Sequence, residues 1–135
     1  MPRSITDTQP RSLKIGLRML WGSVWLSVAT TVGIALQVEG PERAEVLFLP
    51  LVAVAGYAGL LGVVSRLRRW AFLLTCFLCA TYVPGTLVQS HAILSAVPMA
   101  AVLFLMQACL QTAGLVFLLR RDSRAAFKRP SAAAV

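Results

Sequence analysis

The chain is poor in charge, and poorest in acid. Of its 135 residues only 13% are charged, with five Asp and Glu against thirteen Lys and Arg; a soluble domain carries about a quarter. It has one histidine, His91, and three cysteines, so a bis-imidazole haem site within one chain is excluded. No paired acids, no Cys/His or Ser/His arrangement and no glycine-rich phosphate loop with a lysine occurs, and the pattern supports no enzyme. Glu39, Glu42 and Glu45 lie within seven residues, but no histidine or further acid completes a cation site, and an exposed turn explains them. A secretory pattern is missing as well: the first apolar run is too long for a signal peptide and no small-residue cleavage site precedes a soluble domain.

What remains is apolar, at 58% of the residues. From Val97 to Leu119 no side chain is charged, and Arg120 and Arg121 follow at once. A helix of that length rises roughly 34 Å, enough for a hydrocarbon core of about 30 Å. Three further apolar stretches predict spans at 19–38, 46–64 and 71–88, and with 97–119 they leave no room for a second, soluble domain. The expected fold is all-α and transmembrane, a compact antiparallel four-helix bundle forming a single membrane domain over 1–135. Pro84-Gly85 could break the third helix early, leaving Thr86 to Ser90 as a loop or re-entrant segment. The net charge of +8 does not imply nucleic acid, because the basic residues flank apolar runs. Arg66, Arg68, Arg69 and Trp70, like Arg120 and Arg121, read as membrane-interface residues facing lipid headgroups.

Several faces are built for contact inside a bilayer. Ser23, Ser27 and Thr31 recur at four-residue spacing on one side of span 1, a face that packs on another helix or, alternatively, lines a polar pathway. Ala55 with Gly59, and Ala58 with Gly62, are small-x-x-x-small pairs that permit close helix approach, within this chain or to another. Gln107 and Gln111, also four apart, put two amides in hydrocarbon and need partners. An interhelical or intersubunit hydrogen-bond face is the first reading, and a ligand pocket the second. Leu13, Leu17 and Leu20 suggest the start of a partly interfacial helix, and Phe127 an interfacial contact in the basic tail.

Cys76-x-x-Cys79 has the spacing of a redox pair or half a zinc site. By helical rise it lies roughly 10–15 Å into the membrane, with no basic neighbour to stabilise a thiolate, so compact core packing is the simpler role. Four helices with cytoplasmic termini resemble the quinone-linked disulfide-generating membrane proteins, but their extracytoplasmic cysteine pair and redox loop are missing, and that function is not carried over. The ending FLLRRDSRAAF, residues 117–127, together with the hydropathy of the whole chain, resembles small uncharacterised bacterial four-helix inner-membrane proteins; the resemblance implies no activity.

The expected function is a non-catalytic accessory or structural subunit of a larger bacterial membrane assembly. Its partners would be the lipid bilayer and other membrane subunits or further copies, with no nucleic acid. The alternatives are a small transporter for a neutral substrate, or a thiol-redox protein using Cys76 and Cys79. No cofactor is required by the sequence. Four basic residues precede span 1, three separate spans 2 and 3, and five follow span 4, against one in the outer turns. This places both termini in the cytoplasm of a bacterial inner membrane.

Overall fold

The computed structural model describes residues 9–37, 39–95 and 98–128. They form helices α1 (Arg11–Gln37), α2 (Glu42–Ser65), α3 (Arg69–Ile93) and α4 (Pro98–Leu119), and a short α5 (Arg121–Lys128). The first four are long and apolar enough to cross a membrane. Successive helices run antiparallel, and α1 meets both α2 and α4 while α3 meets both of them from the other side. The diagonal pairs do not touch among the described residues. The most extensive seam is α1 with α4, and the thinnest is α2 with α3. The expected all-α bundle is therefore present; residues 1–8 and 129–135, with Val38, Ala96 and Val97, lie outside the described residues.

In lipid, apolar side chains gain little by leaving hydrocarbon, so helices associate where backbones can approach. Gly16 and Gly114 supply that approach. A Cβ built on Gly16 would stand 3.1 Å from the Gly114 carbonyl oxygen and 3.1 Å from Phe117 Cβ; one on Gly114 would stand 2.8 Å from the Leu20 side chain. Around this contact the bundle is tightly filled: Leu13, Leu17, Leu20, Leu61, Val64, Phe72 and Leu118 are all buried. Leu13, Leu17 and Leu20 are thus core residues, and α1 starts at Arg11, eight residues before the expected Met19. An interfacial helix ahead of span 1 is corrected to the first turns of the span.

Phe127 is corrected in the same way. Instead of lying at the interface it is buried, stacked on Phe72 with ring centroids 4.5 Å apart. Helix α5 is held under the bundle by Ser123, whose hydroxyl lies 2.9 Å from the Phe117 carbonyl and 2.9 Å from the Ser12 hydroxyl. At the same end Gln9 donates its side-chain amide to the Ser65 carbonyl at 2.8 Å. Exposed Arg66, Arg68, Arg69, Trp70, Arg120 and Arg121 ring this end, with Arg120 also placed over the Phe117 ring at 4.8 Å. Between α2 and α3, Leu67 turns the chain with φ 59°, a left-handed position where glycine is usual; its side chain packs on the core.

Two further expectations change. Helix α3 continues through Pro84 and Gly85 to Ile93, so the break and the loop at 86–90 do not occur. Ending the helix inside hydrocarbon would leave several carbonyls and amides without partners, a larger cost than the one hydrogen bond proline removes. Of the small residues of α2, Ala58 packs against the core, but the glycines do not bring another helix of the chain close. A Cβ on Gly56, Gly59 or Gly62 would meet nothing within 4 Å, and Ala55 and Gly59 are exposed, with Ala58 and Gly62 half-buried.

The two glycine sets predict opposite outcomes. Gly16→Leu should destabilise the monomer by about 1–3 kcal/mol, the usual cost of overpacking, seen as a lower thermal midpoint in detergent. Gly59→Leu should not lower it. Equal losses at both positions would show that α2 packs through its glycines after all.

Candidate functional site

The core is not filled along its whole length. On α2 the fully buried apolar residues are Leu60, Leu61 and Val64, all in the half nearer the basic end. In the other half a cavity of about 420 Å³ opens among all four helices. Helix α1 contributes Ser23, Ser27, Thr30 and Thr31; α2 contributes Pro50, Ala53, Val54 and Tyr57; α3 contributes Leu78, Cys79, Thr81, Tyr82 and Gln89; α4 contributes Phe104, Gln107 and Gln111. Among the described residues no charged side chain lines it.

The polar residues fall into two groups. Some satisfy themselves locally: Ser23 donates to the Leu20 carbonyl at 2.7 Å, and Thr30 to the Leu26 carbonyl at 2.8 Å. Thr81 bonds back to Phe77 and Leu78 in the same manner. Such bonds let a hydroxyl sit in hydrocarbon without a second helix. The glutamines are different. Gln107 and Gln111 are 2% and 5% exposed, and their carboxamide oxygens have no hydrogen-bond partner in the protein. By helical rise Gln107 lies roughly 13 Å from the start of α4 and Gln111 a similar distance from Arg120, so both are near the middle of the span. A buried polar atom left unpaired costs about 1–3 kcal/mol, and two of them line one cavity.

Of the residues singled out in the sequence, the structure brings Ser23, Ser27 and Thr31 together with Gln107, Gln111 and Cys79 around this space. It leaves Ala55, Gly59 and Gly62 facing away from it. Neither glutamine oxygen accepts a hydrogen bond from a hydroxyl of α1. Thr30, Tyr57, Thr81, Tyr82 and Gln89 complete the polar lining, with no signal in the sequence beyond their polarity.

The cysteines are not bonded to one another. Cys76, Cys79 and Cys109 are free thiols, and Cys79 is buried with its sulfur 3.2 Å from the Tyr57 hydroxyl. Both Cys76 and Cys79 lie about two turns inside α3, where the backbone amides are already bonded along the helix. They therefore lack the free backbone amides that stabilise a thiolate at helix starts. Among the described residues no three His, Cys, Asp or Glu side chains converge on a point that could hold a metal ion. His91 and Met99 are both exposed.

Comparison with family models, with curated proteins and with solved structures gives no match to this chain. The cavity therefore has to be read from its own chemistry. If the glutamine oxygens serve something other than the fold, removing them should help the fold. Gln107→Leu and Gln111→Leu should each raise the thermal midpoint of the protein in detergent, by the equivalent of about 1–3 kcal/mol. A fall would make the two amides structural.

Proposed function

We propose that this is a non-enzymatic, multi-pass protein of the bacterial inner membrane, with its basic end in the cytoplasm, that holds a small uncharged hydrogen-bonding ligand between its helices. The observation that carries the reading is the pair of buried, unpartnered carboxamide oxygens on Gln107 and Gln111, aligned on α4 and lining one cavity. A cavity of about 420 Å³ is of ligand size. Without a charged residue in its wall, it suits a neutral molecule that brings hydrogen-bond donors, and it suits binding or passage more than chemistry. The orientation rests on Lys and Arg. Ten of the described basic residues belong to the ends where α1 and α3 begin and α2 and α4 finish, and Arg43 alone lies at the other end.

The purified protein in detergent tests this directly. Neutral donors of graded polarity, from glycerol and urea to a medium-chain monoacylglycerol, should include at least one that raises its thermal midpoint, and the shift should vanish in Gln107→Leu/Gln111→Leu. Equal shifts in wild type and variant, or none with any donor, would contradict the reading.

A second reading, as an accessory subunit of a larger membrane assembly, is favoured by a separate observation. The Ala55/Gly59 ridge of α2 is turned outward and unused within the chain, and small-residue faces in lipid are where other helices fit closely. The two readings are compatible, since a ligand-holding bundle can sit in a complex through α2. After gentle extraction at native expression a stoichiometric partner, or a second copy, should co-purify and be lost with Gly59→Leu/Gly62→Leu. Recovery of monomer alone would remove this reading and leave the first.

A further inference from the structure

The cavity's mouth says more about its occupant than its volume does. Towards the basic end it is closed by the filled core around Leu20, Leu61 and Leu118, with Phe127 sealing the end below. No aqueous route from that side reaches the glutamines. Towards the other half, six lining residues are also exposed on the outside of the bundle: Pro50 and Ala53 on α2, and Leu78, Thr81, Tyr82 and Gln89 on α3. They flank the thinnest seam of the fold. Gln89 lies about one turn from the outer end of α3, but at the depth of Pro50, Ala53, Leu78, Thr81 and Tyr82 the surroundings of a membrane bundle are hydrocarbon, so there the opening between α2 and α3 faces lipid.

We infer that the cavity takes an uncharged, hydroxyl-bearing lipid, which reaches it sideways between α2 and α3 and places its head against Gln107 and Gln111; this rests on the ligand-holding role proposed above. The chemistry of the wall selects the head. Two acceptor oxygens without donors call for hydroxyl groups. A phosphate or carboxylate would enter a space with no cation to balance it, a cost of several kcal/mol even after relaxation. The seam accommodates the tail, since Val54 and Leu78 stand on either side of it and the rest of the chain remains in the bilayer. A water-soluble polyol would have no such reason for a lateral opening. The hydroxyls of Ser27 and Thr31 on the opposite wall give the head intermediate contacts on the way to the midplane.

The test uses the whole protein in lipid nanodiscs containing diacylglycerol with a photoactivatable diazirine on one acyl chain. Illumination should label peptides of α2 and α3 that flank the seam in preference to the outward faces of α1 and α4. Gln107→Leu/Gln111→Leu should reduce that labelling about tenfold, the factor expected for one or two lost hydrogen bonds. Ala53→Trp, which narrows the mouth at an exposed position and keeps both glutamines, should abolish it as well. Phosphatidylglycerol with the same photoactive chain should label all lipid-facing helices alike, unchanged by either variant. If glycerol or urea shifts the thermal midpoint in a glutamine-dependent way while diacylglycerol labelling is uniform and variant-independent, the lateral lipid inference fails and the ligand-holding role stands. If neither a soluble donor nor the lipid responds to the glutamines, both fail.

Discussion

The close approach of α1 and α4 at Gly16 and Gly114 is the contact on which the rest of the bundle depends. Hydrocarbon gives apolar helices almost no reason to associate, so the attraction has to come from backbones brought near enough for many van der Waals contacts. With no side chain at either position, the two helices meet backbone to backbone, and the leucines on both sides fall into one filled core. Helix α5 then fits below, with Ser123 bonded to Phe117 and Phe127 stacked on Phe72.

That tight end explains the loose one. Helices held together at one end need not follow each other for their full length, and among the described residues α2 has no buried apolar side chain in its first half to hold it against α3. Its glycines have open space before them and draw no other helix of the chain close. The cavity lies in this half, and the sequence furnishes it with amides and hydroxyls where leucines would have closed it. Two unsatisfied oxygens there reduce stability. Residues that reduce stability without serving the fold are commonly those that serve a ligand.

Much of this was legible in the sequence, and for identifiable reasons. Span number and type follow from a fixed membrane thickness, which long uncharged runs must match. The i,i+4 spacing of Gln107 and Gln111 showed that both amides share a face, and the hydroxyl spacing of α1 showed the same for Ser23 and Ser27. Which way a face turns was not legible. The Ala55/Gly59 ridge has the pattern of a packing surface yet points outward, because hydropathy is nearly uniform around a membrane helix and marks no inner side. Gly16 was hidden among Lys14 and Arg18, whose charges suggested an interfacial prelude; those side chains can reach the headgroups while the helix beneath them packs. Phe127 was hidden likewise, as one aromatic residue in a basic tail that only the folded position of Phe72 identifies as core.

The central claim is that Gln107 and Gln111 present their amides to a space that the protein itself does not fill. Solid-state NMR of the protein in bilayers, with side-chain amides of glutamine isotopically labelled, measures this most directly. The account predicts that the Gln107 and Gln111 amides exchange magnetisation with mobile protons of lipid or other small molecules, and show no close contact with the hydroxyls of Ser23, Ser27 or Thr31. Cross-peaks to those hydroxyls, with no contact to any non-protein proton, would mean that the bundle closes on its own polar groups, and would contradict it.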